Sequence, residues 1–62
     1  MVFANKWYPP GTLIGPHWVV EVFHVVRETW VTYTEHTTSA SADFMAQKLG
    51  ELAGARVTEV FK

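Results

Sequence analysis

The run PHWVVEVFHVV at residues 16–26 constrains the fold of this chain more than any other feature. Only Glu21 is charged among its eleven residues, and Val, Trp and Phe are typical of strands. Apolar and polar residues do not alternate in it, which predicts a strand covered on both faces. In a chain of 62 residues, one helix can cover only one of those faces. The sequence therefore poses the question of what covers the second.

A second strand is predicted at residues 29–37, where TWVTYTEHT is β-branched, aromatic and clearly alternating. Arg27 and Glu28 separate the two runs and predict a hairpin centred on that pair, although they lack the Gly or Asn that tight hairpin turns prefer. A two- or four-residue loop centred there gives one register. A three- or five-residue loop would turn every side chain to the opposite face.

Helical periodicity follows, and the apolar positions that define it are Ala42, Met45, Ala46, Leu49, Leu52 and Ala53. We expect Ser39 or Ser41 to cap the helix N-terminus, because a side-chain oxygen there accepts an otherwise unpaired backbone N–H. Gly54 is placed to end the helix in a left-handed conformation. Residues 55–62, ARVTEVFK, are predicted to form a third strand.

These elements predict a single α+β domain of (β)ββαβ order. The helix returns the chain across the sheet, so the third strand should run parallel to the second and antiparallel to the first. The most apolar strand belongs in the centre, which gives the order 2-1-3 with a right-handed crossover and one helix on one sheet face. Residues 17–62 form this core, and residues 1–16 are an N-terminal arm or include a short strand at 2–7. Pro9, Pro10 and Gly11 predict a turn within the arm.

The predicted register divides the sheet residues into two faces. One face holds Trp18, Val20, Val22, His24 and Val26 with Val31, Tyr33 and Glu35. The other holds His17, Val19, Glu21, Phe23 and Val25 with Trp30, Thr32, Thr34 and His36. The first is the more apolar, and we assign the helix to it. The second then presents an apolar patch with a polar rim, which is typical of a subunit interface.

The candidate interface consists of Val19, Phe23, Val25 and Trp30, together with Phe44 on the polar side of the helix. Chains this small need disulfides, a metal or a partner subunit to supplement a limited core. This chain has no Cys, so we predict a homo-oligomer, with a dimer favoured. The alternative is that residues 1–16 fold over the second face and complete a monomeric core.

Charge and hydropathy narrow the choice of partner. Five Lys and Arg against six Asp and Glu give a net charge of −1, and this lacks the basic footprint of a nucleic-acid-binding protein. No apolar run of about 18 to 20 residues is present to span a membrane. The N-terminus has no signal-peptide pattern, and the absence of Cys suits a reducing compartment. We therefore expect a cytoplasmic protein.

Catalytic and metal-binding residues are sparse. The predicted register places His17 and His36 on one face with Glu21 nearby, but no HxH or HExxH spacing supports a metal site. Glu21 and Glu35, the one suggestive carboxylate pair, fall on opposite faces. His24 is expected to be a semi-buried imidazole with its hydrogen bonds satisfied. We assign no cofactor and no metal, and we predict that the protein is not an enzyme.

These observations predict a small protein–protein interaction or accessory protein that self-associates through its second sheet face. Short chains without motifs are typical of accessory proteins of phages or bacteria, which bind a host or partner protein. The alternative is a small nucleic-acid-binding protein that stacks bases on Phe23 and Trp30.

Overall fold

A computed structural model describes residues 7–50 and 54–61 of the chain. It contains four strands and one helix: β1 Trp7–Tyr8, β2 His17–His24, β3 Thr29–His36, α1 Ser39–Gly50 and β4 Ala55–Val60. The strands form one open sheet in the order β1-β3-β2-β4, and each neighbouring pair is antiparallel. β3 and β4 therefore run parallel to each other on either side of β2.

The predicted α+β class is confirmed, and the strand order differs from 2-1-3 by one added strand. β1 pairs through Trp7 and Tyr8 with the end of β3, at the edge of the sheet. Two prolines follow directly, and because proline has no N–H they end the pairing. The chain then turns, with the N–H of Thr12 donating to the carbonyl of Pro9 at 3.2 Å. Of the strand predicted at 2–7, residues 2–6 lie outside the described residues.

The hairpin turn comes earlier than predicted. β2 ends at His24, and residues 25–28 form the turn, so its centre is Val26-Arg27 rather than Arg27-Glu28. The backbone N–H of Arg27 donates to Nδ1 of His24 at 3.2 Å. His24 is therefore an exposed residue that supports the turn, and the expectation of a semi-buried imidazole is wrong. Glu28 adopts a φ of 55°, a left-handed conformation that usually favours Gly or Asn.

A β-bulge changes which side chains share a face. Val20 pairs with Thr34, but the next residue of β2, Glu21, pairs with Thr32. One extra residue, Tyr33, is thus inserted in β3. Beyond it the alternation is opposite to the predicted one, so Thr34 and His36 lie on the helix side and Glu35 on the other. The predicted faces were wrong for this end of β3 because a loop-based register does not anticipate a bulge.

The helix lies on the face that carries Val20, as expected, and packs mainly against β2 and β4. Val20 and Ala42 are both 0% exposed and form the centre of the core. The N-cap is Thr38, whose Oγ1 accepts the backbone N–H of Ser41 at 3.3 Å, and this corrects the prediction of Ser39 or Ser41. Gly54 has the predicted left-handed conformation, with a φ of 79°, whereas the predicted helix positions Leu52 and Ala53 lie outside the described residues.

A buried polar network joins the helix to the sheet. Nε2 of His36 lies 2.7 Å from the hydroxyl of Thr34, and its Nδ1 lies 3.0 Å from the hydroxyl of Ser41. All three side chains are buried. Because buried polar groups are costly when unpaired, this network fixes the start of α1 over β3. Across residues 7–50 and 54–61, no helix is both long and apolar enough to cross a membrane.

Candidate functional site

The sheet face opposite α1, named here the open face, carries the candidate site. Cα pairing places on it His17, Val19, Glu21 and Phe23 of β2, Glu35, Thr32 and Trp30 of β3, and Thr58 and Arg56 of β4. Its two halves differ in character. The half near the start of β2 contains buried side chains, whereas the half near the hairpin turn contains exposed ones.

Glu35 anchors the N-terminal arm over the first half of the open face. Its Oε2 accepts the N–H of Gly11 at 2.9 Å, and its Oε1 accepts those of Thr12 and Leu13 at 3.1 Å each. Gly11 has a φ of 87°, and this conformation lets three consecutive N–H groups converge on one carboxylate. The arm is therefore attached to the face by backbone groups.

His17 lies beside the same carboxylate. Its Nδ1 is 2.6 Å from the carbonyl of Gly15, and since a carbonyl only accepts, Nδ1 carries the hydrogen. Its Nε2 is 3.8 Å from Oε2 of Glu35. Burial by itself would raise the pKa of Glu35, but the N–H groups of Gly11 and Leu13, the charge of His17 and the N–H of Thr12 together lower that pKa below its ordinary value.

The second half of the open face holds an ordered group of side chains, which we name the open-face cluster: Glu21, Phe23, Trp30, Arg56 and Thr58. The rings of Phe23 and Trp30 meet edge to face, with centroids 5.5 Å apart and planes at 74°. The guanidinium carbon of Arg56 lies 4.1 Å from the centroid of Trp30, within the range of a cation–π contact. Trp30 therefore contacts an aromatic ring and a cation at once.

Glu21 fixes the position of Arg56. Its Oε1 accepts from Nε of Arg56 and from the hydroxyl of Thr58, both at 2.8 Å. Burial would raise the pKa of Glu21, but the bonds from Arg56 and Thr58 and the positive charge of Arg56 lower it below its ordinary value. The carboxylate consequently stays ionised at neutral pH and neutralises Arg56.

The structure brings together two of the five predicted interface residues. Phe23 and Trp30 are in contact, and Phe23 is 36% exposed. Val19 lies on the same face but is buried. Val25 is in the exposed turn instead of the strand, since β2 ends one residue earlier. Phe44 is half exposed on α1, with Nζ of Lys48 5.5 Å from its ring centroid, and so belongs to the helix layer.

The sequence did not reveal the roles of Glu35 and Arg56. The bulge places Glu21 and Glu35 on the same face, and His17 and His36 on opposite faces, which reverses both predictions. The part of the chain that the structure describes contains no group of three His, Asp or Glu side chains suited to a metal ion. The sequence did contain one signal for Glu35, which is its position within a strand of β-branched residues. A carboxylate in such a strand can be predicted to be buried and hydrogen-bonded.

Comparison with protein-family models, curated proteins and solved structures gives no match for this chain.

Proposed function

We propose that this protein is a small non-enzymatic interaction protein that self-associates, as a dimer, through the open-face cluster. The observation that carries the proposal is the stacking of Arg56 on Trp30, which in turn contacts Phe23. Trp and Arg are the residues most enriched among those that dominate binding energy at interfaces. Phe23 is 36% exposed, and the side chain of Arg56 is 50% exposed, so both are available to a partner.

The polar surroundings of the cluster favour a specific contact. Arg56 is held in one position by Glu21, so little side-chain entropy remains to be lost when a partner binds. Thr32 lies on the same face as the rings, together with Glu21 and Thr58 of the cluster. An apolar centre with a polar rim is the usual arrangement of a protein interface. An accessory role toward a host or partner protein, in a phage or bacterium and in the cytoplasm, completes the proposal.

Binding of nucleic acid through the same aromatic residues is the alternative. Stacking of bases on Phe23 and Trp30 would need nearby cations for the phosphates. Arg56 is the cation of the cluster, and Glu21 already neutralises it at 2.8 Å. This pairing favours a protein partner over a polyanion.

The test replaces each aromatic residue of the cluster. We expect Phe23→Thr and Trp30→Thr each to weaken self-association by about 30-fold, since such interface residues contribute on the order of 2 kcal/mol. Light scattering over a range of concentrations measures the association, and circular dichroism checks the fold. Ile14→Thr is the matched control, because Ile14 is apolar and 94% exposed but lies outside the cluster.

A strict monomer at all concentrations would contradict the dimer. The same solutions, with an added oligonucleotide at two salt concentrations, test the alternative. Binding that weakens as salt increases would support nucleic-acid recognition. Loss of oligonucleotide binding in Trp30→Thr would then assign it to the open face.

A further inference from the structure

The outer edge of β3 has backbone groups without a strand partner in the described part of the chain. β1 covers this edge only opposite Glu35 and His36. The pairing could continue toward Thr34 only through Pro9 and Pro10, and Pro cannot donate a backbone hydrogen bond. Residues 29–32 thus pair with β2 on one side, Tyr33 is the bulge residue, and no described strand lies on the other side of residues 29–33.

The two edges of the sheet differ in sequence. β4, at the opposite edge, carries the charged residues Arg56 and Glu59, and charges of this kind discourage the addition of another strand. Residues 29–33 read TWVTY, with no charge and no Pro. One feature of this segment hinders pairing with a further strand, namely the bulge at Tyr33, which lies at its end. The β3 edge is therefore the more receptive of the two.

The space beside this edge is accessible. α1 packs mainly against β2 and β4, and less against β3. Tyr33 remains 50% exposed, and Val31 is only half-buried.

We propose that residues 29–33 pair with the same segment of a second copy, antiparallel, across a two-fold axis at Val31. A two-fold axis perpendicular to the sheet reverses the strand direction and keeps each face on its own side, so a strand edge can pair with itself. An uncharged segment brings no like charges together in this arrangement. The contact is made by the strand edge rather than by the open face, although Trp30 belongs to both, and it goes beyond the proposed function.

The side chains select Val31 as the axis. In this register Trp30 faces Thr32 of the second copy, and Thr29 faces its Tyr33, which gives aromatic–β-branched pairs. An axis at Trp30 would place two indole rings directly opposite each other. An axis at Thr32 would carry the new ladder through the bulge at Tyr33 to Thr34, whereas an axis at Val31 ends it at Tyr33.

The result is one continuous sheet of eight strands, with both open-face clusters on the same side. Five residues per copy make a small interface, well below the roughly 1,200–2,000 Å² of a stable complex. The edge contact is consequently weak and reversible, and a covalent trap is the suitable measurement.

Single cysteines supply that trap, because the chain contains no natural Cys. Directly opposed residues of an antiparallel pair have Cα atoms about 4.5–5.5 Å apart, within the range of a disulfide. Under mild oxidation we expect Val31→Cys to form the disulfide dimer at least tenfold faster than Thr29→Cys or Thr32→Cys. Glu59→Cys reports on the β4 edge, and Thr37→Cys is an exposed position outside the strands.

The same series in a Phe23→Thr background separates the two contacts. Phe23 belongs to β2 and not to the β3 edge, so the preference for Val31→Cys should persist there, even if light scattering shows no open-face dimer. If Val31→Cys crosslinks no faster than Thr37→Cys while its circular dichroism spectrum is native, the edge contact is refuted. That result leaves the open-face proposal unaffected. Loss of the preference in the Phe23→Thr background also overturns the edge contact as a separate contact.

Discussion

Glu35 shows how one residue organises a large part of this small protein. It is 7% exposed, and a buried carboxylate is stable only when its charge is compensated. Here the compensation comes from three backbone N–H groups of the arm and from His17. Backbone donors need no particular side chains, so the turn conformation of residues 11–13, which Gly11 permits with its φ of 87°, decides the attachment.

Replacing Glu35 by Ala should therefore release the arm. We expect the free energy of unfolding to fall by about 1.5–3 kcal/mol, the range for hydrogen bonds to a charged group. Formate should restore part of the loss, because it can occupy the position of the missing carboxylate. Urea unfolding with and without formate measures both effects. Glu59→Ala, at an exposed strand residue, is the control, and equal stability of the two variants would refute the anchoring role.

At the scale of elements, the hairpin decides which side chains meet. Its turn uses residues 25–28, and its bulge inserts Tyr33. The position of the turn places Phe23 opposite Trp30. The bulge then places the β3 residues beyond it on the face opposite to the predicted one. The helix is then joined to the sheet by His36, a residue that lies on the helix side only because of the bulge.

The turn also contains a conformational cost that can be removed. Glu28 has a φ of 55°, and a left-handed conformation costs an L-residue roughly 1–2 kcal/mol, partly offset for Gly by its greater unfolded entropy. We expect Glu28→Gly to raise the free energy of unfolding by about 0.5–1 kcal/mol in urea titrations. Glu28→Ala removes the same carboxylate without changing the preference for φ, so it should give no increase. An equal gain in both variants would assign the effect to charge.

At the scale of the whole molecule, different elements cover different parts of the two sheet faces. α1 covers the helix side over β2 and β4. The arm is anchored on one half of the open face, and the open-face cluster remains accessible on the other half. A chain of 62 residues buries only about 60% of its unfolded surface. Association at the accessible half would add to that limited burial.

Acid should destabilise the whole fold through its two paired carboxylates. The pKa values of Glu21 and Glu35 are both lowered from 4.5 in the folded protein, so the unfolded chain binds protons first as the pH falls. Their stabilising contribution is complete above about pH 4.5 and is lost as the pH falls through the folded values. Thermal unfolding between pH 3 and pH 7 should show this loss, and it should be smaller in Glu35→Gln. An unchanged pH dependence in that variant would contradict the role of Glu35.

The elements and the class of the fold were predictable from local patterns in the sequence. The apolar run 16–26 indicated the central strand, the spacing of Ala42, Met45 and Leu49 indicated the helix, and Gly54 was assigned its left-handed conformation. Periodicity and glycine conformation are local properties, which is why they are readable from the chain. Phe23 and Trp30 were also assigned correctly to one face.

Only the tertiary structure decided what covers that face. The attachment of residues 11–13 to Glu35 depends on contacts between segments more than 20 positions apart, as does the pairing of Arg56 with Glu21. The bulge at Tyr33 depends on the pairing of β2 with β3. Such contacts leave no periodic signal. The central strand is therefore covered by the helix on one face, and by the anchored arm on half of the other. The second half of that face carries the aromatic cluster, which remains accessible. The hydrophobic pattern did not predict this division, because long-range hydrogen bonds place the arm.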